Sequence, residues 1–433
     1  MCVIFFSLNY AGMPCLPLST IYIELIDLTH PLSHSPIIRA MCVSSPISES
    51  QISDMCAVRS ACNGVTTKDM RKMLFTLVIV GLGQYVCNGE WMDALSMSQD
   101  SRVTFLGRHL VGQDAVSFDF VATGFRIGNV KTSRELEVSM DVGCDDVRFG
   151  VFSGDEEMLE SEFKGINGNR TYKINTTSSI LTIRKITEPF GKKCGATKLY
   201  GANVAFSSKR YRQPMERAYF IDFYGDSDTA AFGVDGKKDE TFSCLEHMST
   251  YEDFSDGWVK GVFDRLNHSF EYSVQAVSGI GVVRNAVSFG TPTLSQDTMP
   301  KLIHRSLQTV DSEDFKPLRS SADLIVIYLG SNDYTNLFWN PSAETFTNTY
   351  VKMVNDIRAQ YEQNTTIPLL HICGGETKPC DYVKDAASRL ENSQYTDTFD
   401  LGITKAGCIG HRDRTQQSTL ADKLAPIFGN YLQ

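Results

Sequence analysis

The stretch Arg217-Ala-Tyr-Phe-Ile-Asp-Phe-Tyr-Gly-Asp-Ser227 decides the fold of the C-terminal half of the chain. Residues 218–223 form an apolar run that is typical of a buried strand, and a Gly-Asp-Ser turn follows it. Four further segments continue the pattern in the order strand, helix, strand, helix: residues 324–329, 345–361, 368–372 and 415–431. This alternation predicts an α/β domain over about residues 216–433, with a parallel sheet and helices on both faces.

Glycine-rich polar segments lie at the predicted ends of these strands and before the last helix. Besides the turn that ends at Ser227, they are Val277-Ser-Gly-Ile-Gly281, Gly330-Ser-Asn-Asp333 and Gly407-Cys-Ile-Gly-His411. In an open parallel sheet the ligand site lies at the carboxyl ends of the strands, so we expect these segments to meet.

Ser227 and His411 are the side chains in these segments that suit nucleophilic catalysis. A serine hydroxyl is a weak nucleophile at its free pKa and needs an adjacent base. An imidazole, with an ordinary pKa of about 6.5, can take the seryl proton and return it to a leaving alkoxide. The backbone N–H groups of Ser227 and the glycines, with the Asn332 amide, are candidate donors to the oxyanion of a tetrahedral intermediate. The segments therefore indicate an acyl-transfer site.

The region before the α/β domain has a different pattern. Between about residues 100 and 212, short alternating stretches such as 116–122 and 135–141 are separated by Gly, Asn and Asp turn signals. This pattern predicts an all-β domain, either a sandwich or a jelly roll.

Taken in order, the four segments resemble blocks I, II, III and V of the SGNH hydrolases. Over about residues 100–433 the chain is similar to the second family of carbohydrate esterases. In that family an N-terminal jelly roll precedes an SGNH domain, and acetyl groups are removed from polysaccharides. The likeness extends to Ser278-Gly-Ile-Gly-Val-Val-Arg-Asn285 and to segments 105–108, 118–124 and 181–188 of the β domain.

The resemblance implies a fold and a set of site residues. The fold is a flavodoxin-like three-layer αβα SGNH-hydrolase domain preceded by a jelly roll. Ser227 is the implied nucleophile and His411 the implied base. The implied oxyanion hole consists of Ser227, Gly279 and Asn332, and Gly281 competes with Gly279 for the second position.

Two substitutions near the expected nucleophile and oxyanion hole depart from the family pattern. Asp228 stands where the family usually has an apolar residue after the serine, and its charge either perturbs the site or faces solvent. Ser331 replaces a usual Thr, which is a mild change.

The partner of the histidine is a third departure. An acid commonly precedes the histidine by two or three residues, but Cys408 and Ile409 occupy those positions here. The His411 ring is then oriented either by a backbone carbonyl, as in a dyad, or by a carboxylate from elsewhere such as Asp413 or Asp400.

Other chemically capable side chains of this region have structural interpretations. We expect Asp226 to fix the turn before the nucleophile and Asp333 to organise its loop. His371 and Trp258 are expected in the core. Trp339 is a candidate for stacking on a sugar ring, with core packing as the alternative.

The N-terminal segment resembles a secretion signal. Residues 68–89 have a basic start, an apolar run at 73–82 and small residues before position 90. We therefore expect residues 70–89 to be a signal peptide, translation to begin at Met70 or Met73, and residues 1–69 to be absent from a secreted mature protein. A buried core segment is the alternative.

The composition excludes several classes of partner. The chain has 433 residues and a formal net charge of -10, so it lacks the positive charge that binding to phosphate backbones requires. Nucleic acid is not an expected partner. No apolar run reaches the roughly 20 residues of a membrane span.

The cysteines and sequons suit an extracellular glycoprotein. Six cysteines follow residue 90, an even number that predicts up to three disulfides, with Cys373 and Cys380 as the favoured local pair. No zinc-type cluster is present, so we expect no metal and no cofactor. The four sequons are Asn169, Asn175, Asn267 and Asn364.

The sequence therefore predicts a secreted, metal-independent serine esterase that removes O-acetyl groups from a carbohydrate. One alternative is a carbohydrate-binding protein whose hydrolase domain has lost activity, because of Asp228 and the missing acid. Another is a lipid or aryl esterase on the same fold, although the appended β domain speaks against it. The sugar, the hydroxyl position and the oligomeric state stay open.

Overall fold

The computed structural model describes residues 89–432, except 133, 191–193, 208–216, 287–296, 312–314, 336–339, 363–366, 375–376, 399–400 and 404. Residues 1–69 and the predicted signal peptide up to residue 88 lie outside the described residues, as do Trp339 and Asp400. Residues Met92–Gln433 form one compact unit, in which a β-sandwich precedes an α/β domain. Within the described part of the chain, no helix is long and apolar enough to cross a membrane.

The N-terminal part of the described chain is almost entirely β-structure. Its elements are β1 (Glu90–Asp93), α1 (Ala94–Gln99), β2 (Val103–Leu106), β3 (Leu110–Val111), β4 (Val116–Phe118), β5 (Gly124–Gly128), β6 (Leu136–Asp141), β7 (Arg148–Ser153), β8 (Met158–Lys164), β9 (Asn169–Ile174), β10 (Ile180–Lys185) and β11 (Thr197–Val204). One antiparallel sheet has the order β3-β4-β11-β6-β9, and the other has the order β2-β5-β10-β7-β8.

The alternation along β6 shows why this region forms a sandwich. Leu136, Val138 and Met140 are buried, whereas the residues between them are partly exposed. Successive side chains of a strand point to opposite faces, so one face of β6 enters the core. Phe125 and Leu181 of the second sheet share that core. The predicted all-β jelly-roll domain is confirmed.

The C-terminal part alternates strands and helices. Its elements are β12 (Tyr219–Gly225), α2 (Ser227–Ala230), α3 (Thr241–Glu246), α4 (Trp258–Arg265), β13 (Phe270–Ala276), α5 (Met299–Leu302), β14 (Leu324–Tyr328), α6 (Ala343–Arg358), β15 (Leu369–Cys373), α7 (Thr377–Ser388), β16 (Ser393–Asp397) and α8 (Arg414–Gly429). The five strands pair in parallel in the order β13-β12-β14-β15-β16.

Helices cover both faces of this sheet. On one face α4 and α8 pack against Phe223 and Val326, and on the other face α6 and α7 pack against Ile325 and Ile327. Strands buried on both sides read as continuous apolar runs, which is why the sequence pattern located them. The predicted flavodoxin-like three-layer fold is confirmed.

The strand order sets where a ligand can bind. It reverses around β12, which lies between β13 and β14. In a doubly wound sheet the crevice at this reversal, outside the carboxyl ends of the strands, is the ligand site. Ser227 lies two residues after β12, and Asn332 lies four residues after β14. Both sequence-predicted residues therefore lie at the switch point of the sheet.

A buried ionic network joins the sandwich to the α/β domain. Glu157, at the β7–β8 turn of the sandwich, pairs with Arg126, Arg184 and Arg217. Glu271 of β13 pairs with the same three guanidinium groups. Burial alone would raise the pKa of Glu157, but the three arginines outweigh it and hold the pKa well below the usual range. The network is therefore ionised in the folded protein.

All six cysteines after residue 90 lie in disulfide pairs. The pairs are Cys144–Cys194, Cys244–Cys408 and Cys373–Cys380. The predicted set of up to three disulfides and the predicted local pair are confirmed. The pair Cys244–Cys408 bridges 164 residues and ties α3 to the segment before α8.

Candidate active site

The candidate nucleophile lies in a strand-turn-helix connection. Ser227 is the first residue of α2 and follows Gly225 at the end of β12. A Cβ atom at position 225 would lie 2.1 Å from Thr229 Oγ1, so glycine is needed for the chain to turn this tightly. The Asp226 carboxylate accepts a hydrogen bond of 3.1 Å from the Asp228 N–H and caps α2. The expectation that Asp226 fixes this turn is confirmed.

The structure brings His411 to the candidate nucleophile. His411 Nε2 lies 2.7 Å from Ser227 Oγ, and Nδ1 lies 3.1 Å from the carbonyl oxygen of Cys408. Since the carbonyl can only accept, Nδ1 carries the ring proton and Nε2 is left to accept the seryl proton. The edge-on ring of Phe232, centred 4.9 Å away, packs against the imidazole.

The His411 ring could be oriented by a backbone carbonyl or by a carboxylate such as Asp413 or Asp400, and the structure shows the Cys408 carbonyl in this position. Asp413 accepts a hydrogen bond of 2.9 Å from the Gln416 N–H and serves as the N-cap of α8. Asp400 lies outside the described residues. In the described part of the chain, the group at His411 Nδ1 is therefore a backbone carbonyl, as in a dyad. The Cys244–Cys408 disulfide anchors the residue that provides this carbonyl.

Gly279 and Gly281, the two candidates for the second oxyanion donor, differ in whether their N–H group is already hydrogen-bonded. The Gly281 N–H donates a 3.0 Å hydrogen bond to Asn285 Oδ1. No described residue accepts a hydrogen bond from the Gly279 N–H, and Gly279 has a φ of +82° that favours glycine. The geometry therefore favours Gly279 as the candidate donor.

Asn332 reaches the site with both of its amide hydrogens engaged. Its Nδ2 donates to the Ile280 carbonyl at 2.8 Å and to Asp226 Oδ2 at 3.1 Å. Asp226 Oδ2 also accepts from Ser331 Oγ at 2.7 Å. Burial, followed by the charge of Asp228, raises the pKa of Asp226 to about 7. Donation by Asn332 to an oxyanion thus requires it to release one of these two acceptors.

Asp228 neither faces solvent nor lies unpaired. It is buried, and its Oδ2 lies 2.8 Å from Arg412 Nη1 and 3.3 Å from Lys405 Nζ. Burial alone would raise the pKa of Asp228, but Arg412, Lys405 and His411 outweigh it and hold the pKa below the usual range. The solvent-facing alternative for Asp228 is therefore wrong, because two cations enclose the carboxylate.

Asp333 has a structural role rather than a catalytic one. Asp333 accepts the N–H groups of Val282, Val283 and Arg284 at 2.9, 2.6 and 3.0 Å, so its expected role in organising a loop is confirmed.

The two expected core residues also lie where predicted. Trp258 is fully buried against Phe223 and Phe428. His371 is buried in β15, and its Nδ1 lies 2.9 Å from the Tyr350 hydroxyl. Trp339 lies outside the described residues and stays a sequence-based candidate.

The sandwich contributes a residue to the site that the sequence reasoning missed. Glu188 follows β10 and accepts the Ser278 N–H at 2.8 Å and the Ser278 hydroxyl at 2.5 Å. Ser278 directly precedes Gly279, so the β domain holds the loop of the candidate oxyanion donor. Burial raises the pKa of Glu188 to about 7. Segment 181–188 is part of the family likeness, but no local sequence pattern links Glu188 to Ser278.

The described residues offer no evident metal centre. Among them, no three His, Cys, Asp or Glu side chains are grouped so that they could hold a metal ion.

The family model agrees with this geometry. Residues 222–408 match the family described as GDSL-like Lipase/Acylhydrolase. The α/β part of the chain therefore resembles a GDSL-like acylhydrolase domain, the class that the SGNH resemblance indicated. A search among curated proteins found no match.

Solved structures extend the likeness to the sandwich. A carbohydrate esterase family 2 enzyme with a carbohydrate-binding domain, from Corynascus thermopiles (Myceliophthora fergusii), has 22% identity and a TM-score of 0.60, over 76% of this chain and 99% of that chain. A family two carbohydrate esterase from Clostridium thermocellum, in complex with cellohexaose, has 16% identity and a TM-score of 0.61 over the same shares. An acetyl xylan esterase from the rumen bacterium Butyrivibrio proteoclasticus has 11% identity and a TM-score of 0.61, over 79% and 99%.

These matches identify the particular architecture within the acylhydrolase class. The chain has the two-part fold of the carbohydrate esterase family 2 enzymes, as the resemblance in the sequence implied. At these identities the likeness concerns the fold.

The contact between Glu188 and Ser278 leads to a testable expectation. We expect Glu188→Ala to lower kcat/KM for ester hydrolysis by about tenfold to a hundredfold, since it leaves two buried donors of Ser278 unpaired beside Gly279. Ser278→Ala is the matched control with a smaller loss, because Glu188 still accepts the backbone N–H. Initial rates on an aryl acetate, with circular dichroism to check folding, measure this. Wild-type rates in a folded Glu188→Ala variant would contradict it.

Proposed function

We propose that the protein is a serine esterase that removes O-acetyl groups from a carbohydrate through a Ser227–His411 dyad. The observation that carries the proposal is the 2.7 Å distance between Ser227 Oγ and His411 Nε2. It lies at the switch point of a GDSL-like domain. A hydroxyl within hydrogen-bond reach of a correctly protonated imidazole is the arrangement that nucleophilic acyl transfer needs.

The first half-reaction forms an acyl-enzyme. Ser227 Oγ attacks the acetyl carbonyl carbon while His411 Nε2 takes the seryl proton. The carbonyl oxygen becomes an oxyanion, to which the N–H groups of Ser227 and Gly279 donate, joined by the Asn332 amide once it has released Ile280 or Asp226. When the intermediate collapses, the bond to the sugar oxygen breaks and the His411 proton passes to that oxygen.

The second half-reaction releases acetate. Water attacks the acyl carbon, His411 Nε2 takes one of its protons, and the same donors stabilise the second oxyanion. The bond between the acyl carbon and Ser227 Oγ then breaks, and the proton returns to Oγ. The sum is ester plus water giving alcohol plus acetic acid, with both residues restored.

The carbohydrate substrate rests on the shared two-domain fold. One structure of this fold is described as a family two carbohydrate esterase in complex with cellohexaose, and another as an acetyl xylan esterase. Trp339, seven residues beyond Asn332 in the sequence, remains our candidate for stacking on a sugar ring.

The two alternatives make different demands on the site. An inactive carbohydrate-binding protein was suggested by Asp228 and the missing acid. A buried ion pair around Asp228 and a carbonyl at His411 Nδ1 weaken both reasons. A lipid or aryl esterase on the same fold would keep the dyad and differ in its preferred acyl chain.

We also propose that the mature protein is secreted and begins near residue 90. The predicted signal segment at 70–89, the three disulfide pairs and the sequons support this. Disulfides persist in oxidising compartments. Asn169, Asn175 and Asn267 are exposed and open to glycosylation.

Hydrolysis of p-nitrophenyl acetate by the wild type and by Ser227→Ala tests the dyad. We expect the variant to lose at least about a thousandfold in kcat, and His411→Ala to lose a similar amount, because the two residues act as a unit. Only neutral His411 accepts a proton, and burial lowers its pKa from the usual value. Activity is therefore lost as pH falls through a value below about 6.5.

The same assay separates the alternatives. Equal rates for the wild type and Ser227→Ala would reject an esterase that uses this serine. Activity on long acyl chains with none on acetyl esters would favour a lipid esterase. Release of acetate from an acetylated xylan or cello-oligosaccharide supports the carbohydrate assignment.

N-terminal sequencing of protein collected from the medium tests secretion. We expect a mature end at Glu90 or within a few residues of it, because small residues precede that position. Retention of Met1 on the exported protein, or confinement of the protein to the cell, would overturn the proposal.

A further inference from the structure

The residues that follow the candidate nucleophile and base are joined to each other. Asp228 follows Ser227, Arg412 follows His411, and Asp228 Oδ2 lies 2.8 Å from Arg412 Nη1. The start of α2 and the loop before α8 therefore make two contacts with each other, at adjacent positions in each segment. One tie is the hydrogen bond of the dyad, and the other is an ion pair.

This ion pair is buried. Asp228 is 3% exposed and Arg412 is fully buried. A buried charge that loses its partner is strongly destabilising, so the two segments are held at a fixed distance. Arg412 also donates through Nη2 to Thr398 Oγ1 at 2.8 Å, just beyond β16. Arg412 thus connects the nucleophile helix, the histidine loop and the end of the sheet.

The histidine loop needs such support. The carbonyl of Cys408 accepts the hydrogen bond of the His411 ring, and Ile409 between them has a φ of +53°. A β-branched residue in the left-handed region is strained and persists only where its surroundings hold it. The Asp228–Arg412 contact, on the other side of His411 in the chain, supplies part of that hold.

Among the described residues, charges of both signs act on His411. They are the carboxylate of Asp228 and the cationic groups of Lys405 and Arg412, with the Cys408 carbonyl at Nδ1. The carboxylate of Asp226, on the other side of Ser227 in the chain, responds to burial and then to the charge of Asp228, which together raise the pKa of Asp226 to about 7. A negative charge favours the imidazolium that forms during acyl transfer, and the two cations oppose it. In a serine triad, a carboxylate at Nδ1 supplies both the charge and the orientation.

We propose that Asp228 and Arg412 are a positioning pair that takes over the work of the absent triad acid. Their ion pair fixes the histidine loop against the nucleophile helix, and Asp228 places a buried negative charge beside the imidazole. Both act through Ser227 and His411 and are positioning residues. The inference deepens the proposed esterase function and rests on it.

The pH profiles of two variants test the pair. Asp228→Asn removes the negative charge that favours the imidazolium. We therefore expect the acidic limb of the kcat/KM profile, where activity falls as His411 is protonated, to move to lower pH by about one unit. Arg412→Gln removes a positive charge while Lys405 stays beside Asp228, so the limb moves to higher pH. In both variants kcat falls by about tenfold to a hundredfold with little change in KM, because the dyad is misplaced.

Two further variants separate charge from geometry and from general effects. Arg412→Lys keeps the charge and loses the planar fork, so kcat falls while the acidic limb stays at its wild-type position. Arg414→Gln is the matched control. Arg414 lies two residues further along, is largely exposed and pairs with Asp235 at 2.6 Å, so we expect both kcat and the limb to be unchanged.

An NMR titration of His411 keeps this inference distinct from the esterase assignment. Labelled histidine in the full chain, with His411→Ala to assign the signal, reports the pKa without turnover. A lower His411 pKa in Asp228→Asn and a higher one in Arg412→Gln support the positioning pair. They do so even if no ester is hydrolysed, in which case only the proposed function fails. If the His411 pKa is unchanged in both folded variants, or changes in the same direction in both, the proposed role of the pair is overturned. An active enzyme would then leave the esterase function intact.

Discussion

The hydrogen bond between Ser227 Oγ and His411 Nε2 joins residues 184 positions apart, and much of the fold serves to make it possible. Parallel strand order places Ser227 at the switch point of the sheet, and the last helix brings the histidine loop to the same edge. This hydrogen bond, between a hydroxyl and a half-buried imidazole, holds both partners in place before substrate binds. The disulfide at Cys408, the ring of Phe232 and the Asp228–Arg412 ion pair all hold the histidine side.

Two parts of the site depend on buried acids rather than on apolar packing. Glu188 reaches from the sandwich to Ser278, so the β domain holds the loop of the candidate oxyanion donor. The Asp226 carboxylate accepts hydrogen bonds from three donors: the Asp228 N–H, the Ser331 hydroxyl and the Asn332 amide. Because burial raises the pKa of Glu188 and Asp226 to about 7, both can change protonation near neutrality. Through Glu188, the sandwich is thus part of the candidate active site.

The sequence was sufficient for the parts of the site that follow from strand order. Apolar runs located the strands, and the carboxyl ends of parallel strands must meet, so Ser227, Asn332 and His411 could be placed together. The partner of Asp228 could not be found in this way, because it depends on how the histidine loop is folded. The same holds for Glu188, which acts across domains. The three observed disulfide pairs are one of the roughly 15 connectivities that six cysteines allow, and spacing does not select the Cys244–Cys408 pair.

Covalent labelling of the serine tests whether His411 activates Ser227. A small fluorophosphonate reacts with a serine hydroxyl only where a base activates it. After treatment at neutral pH, we expect a single adduct on the peptide that contains Ser227, and none when His411 is replaced by alanine. A labelled Ser227 in the His411→Ala variant, or an adduct only on another residue of the wild type, would contradict it.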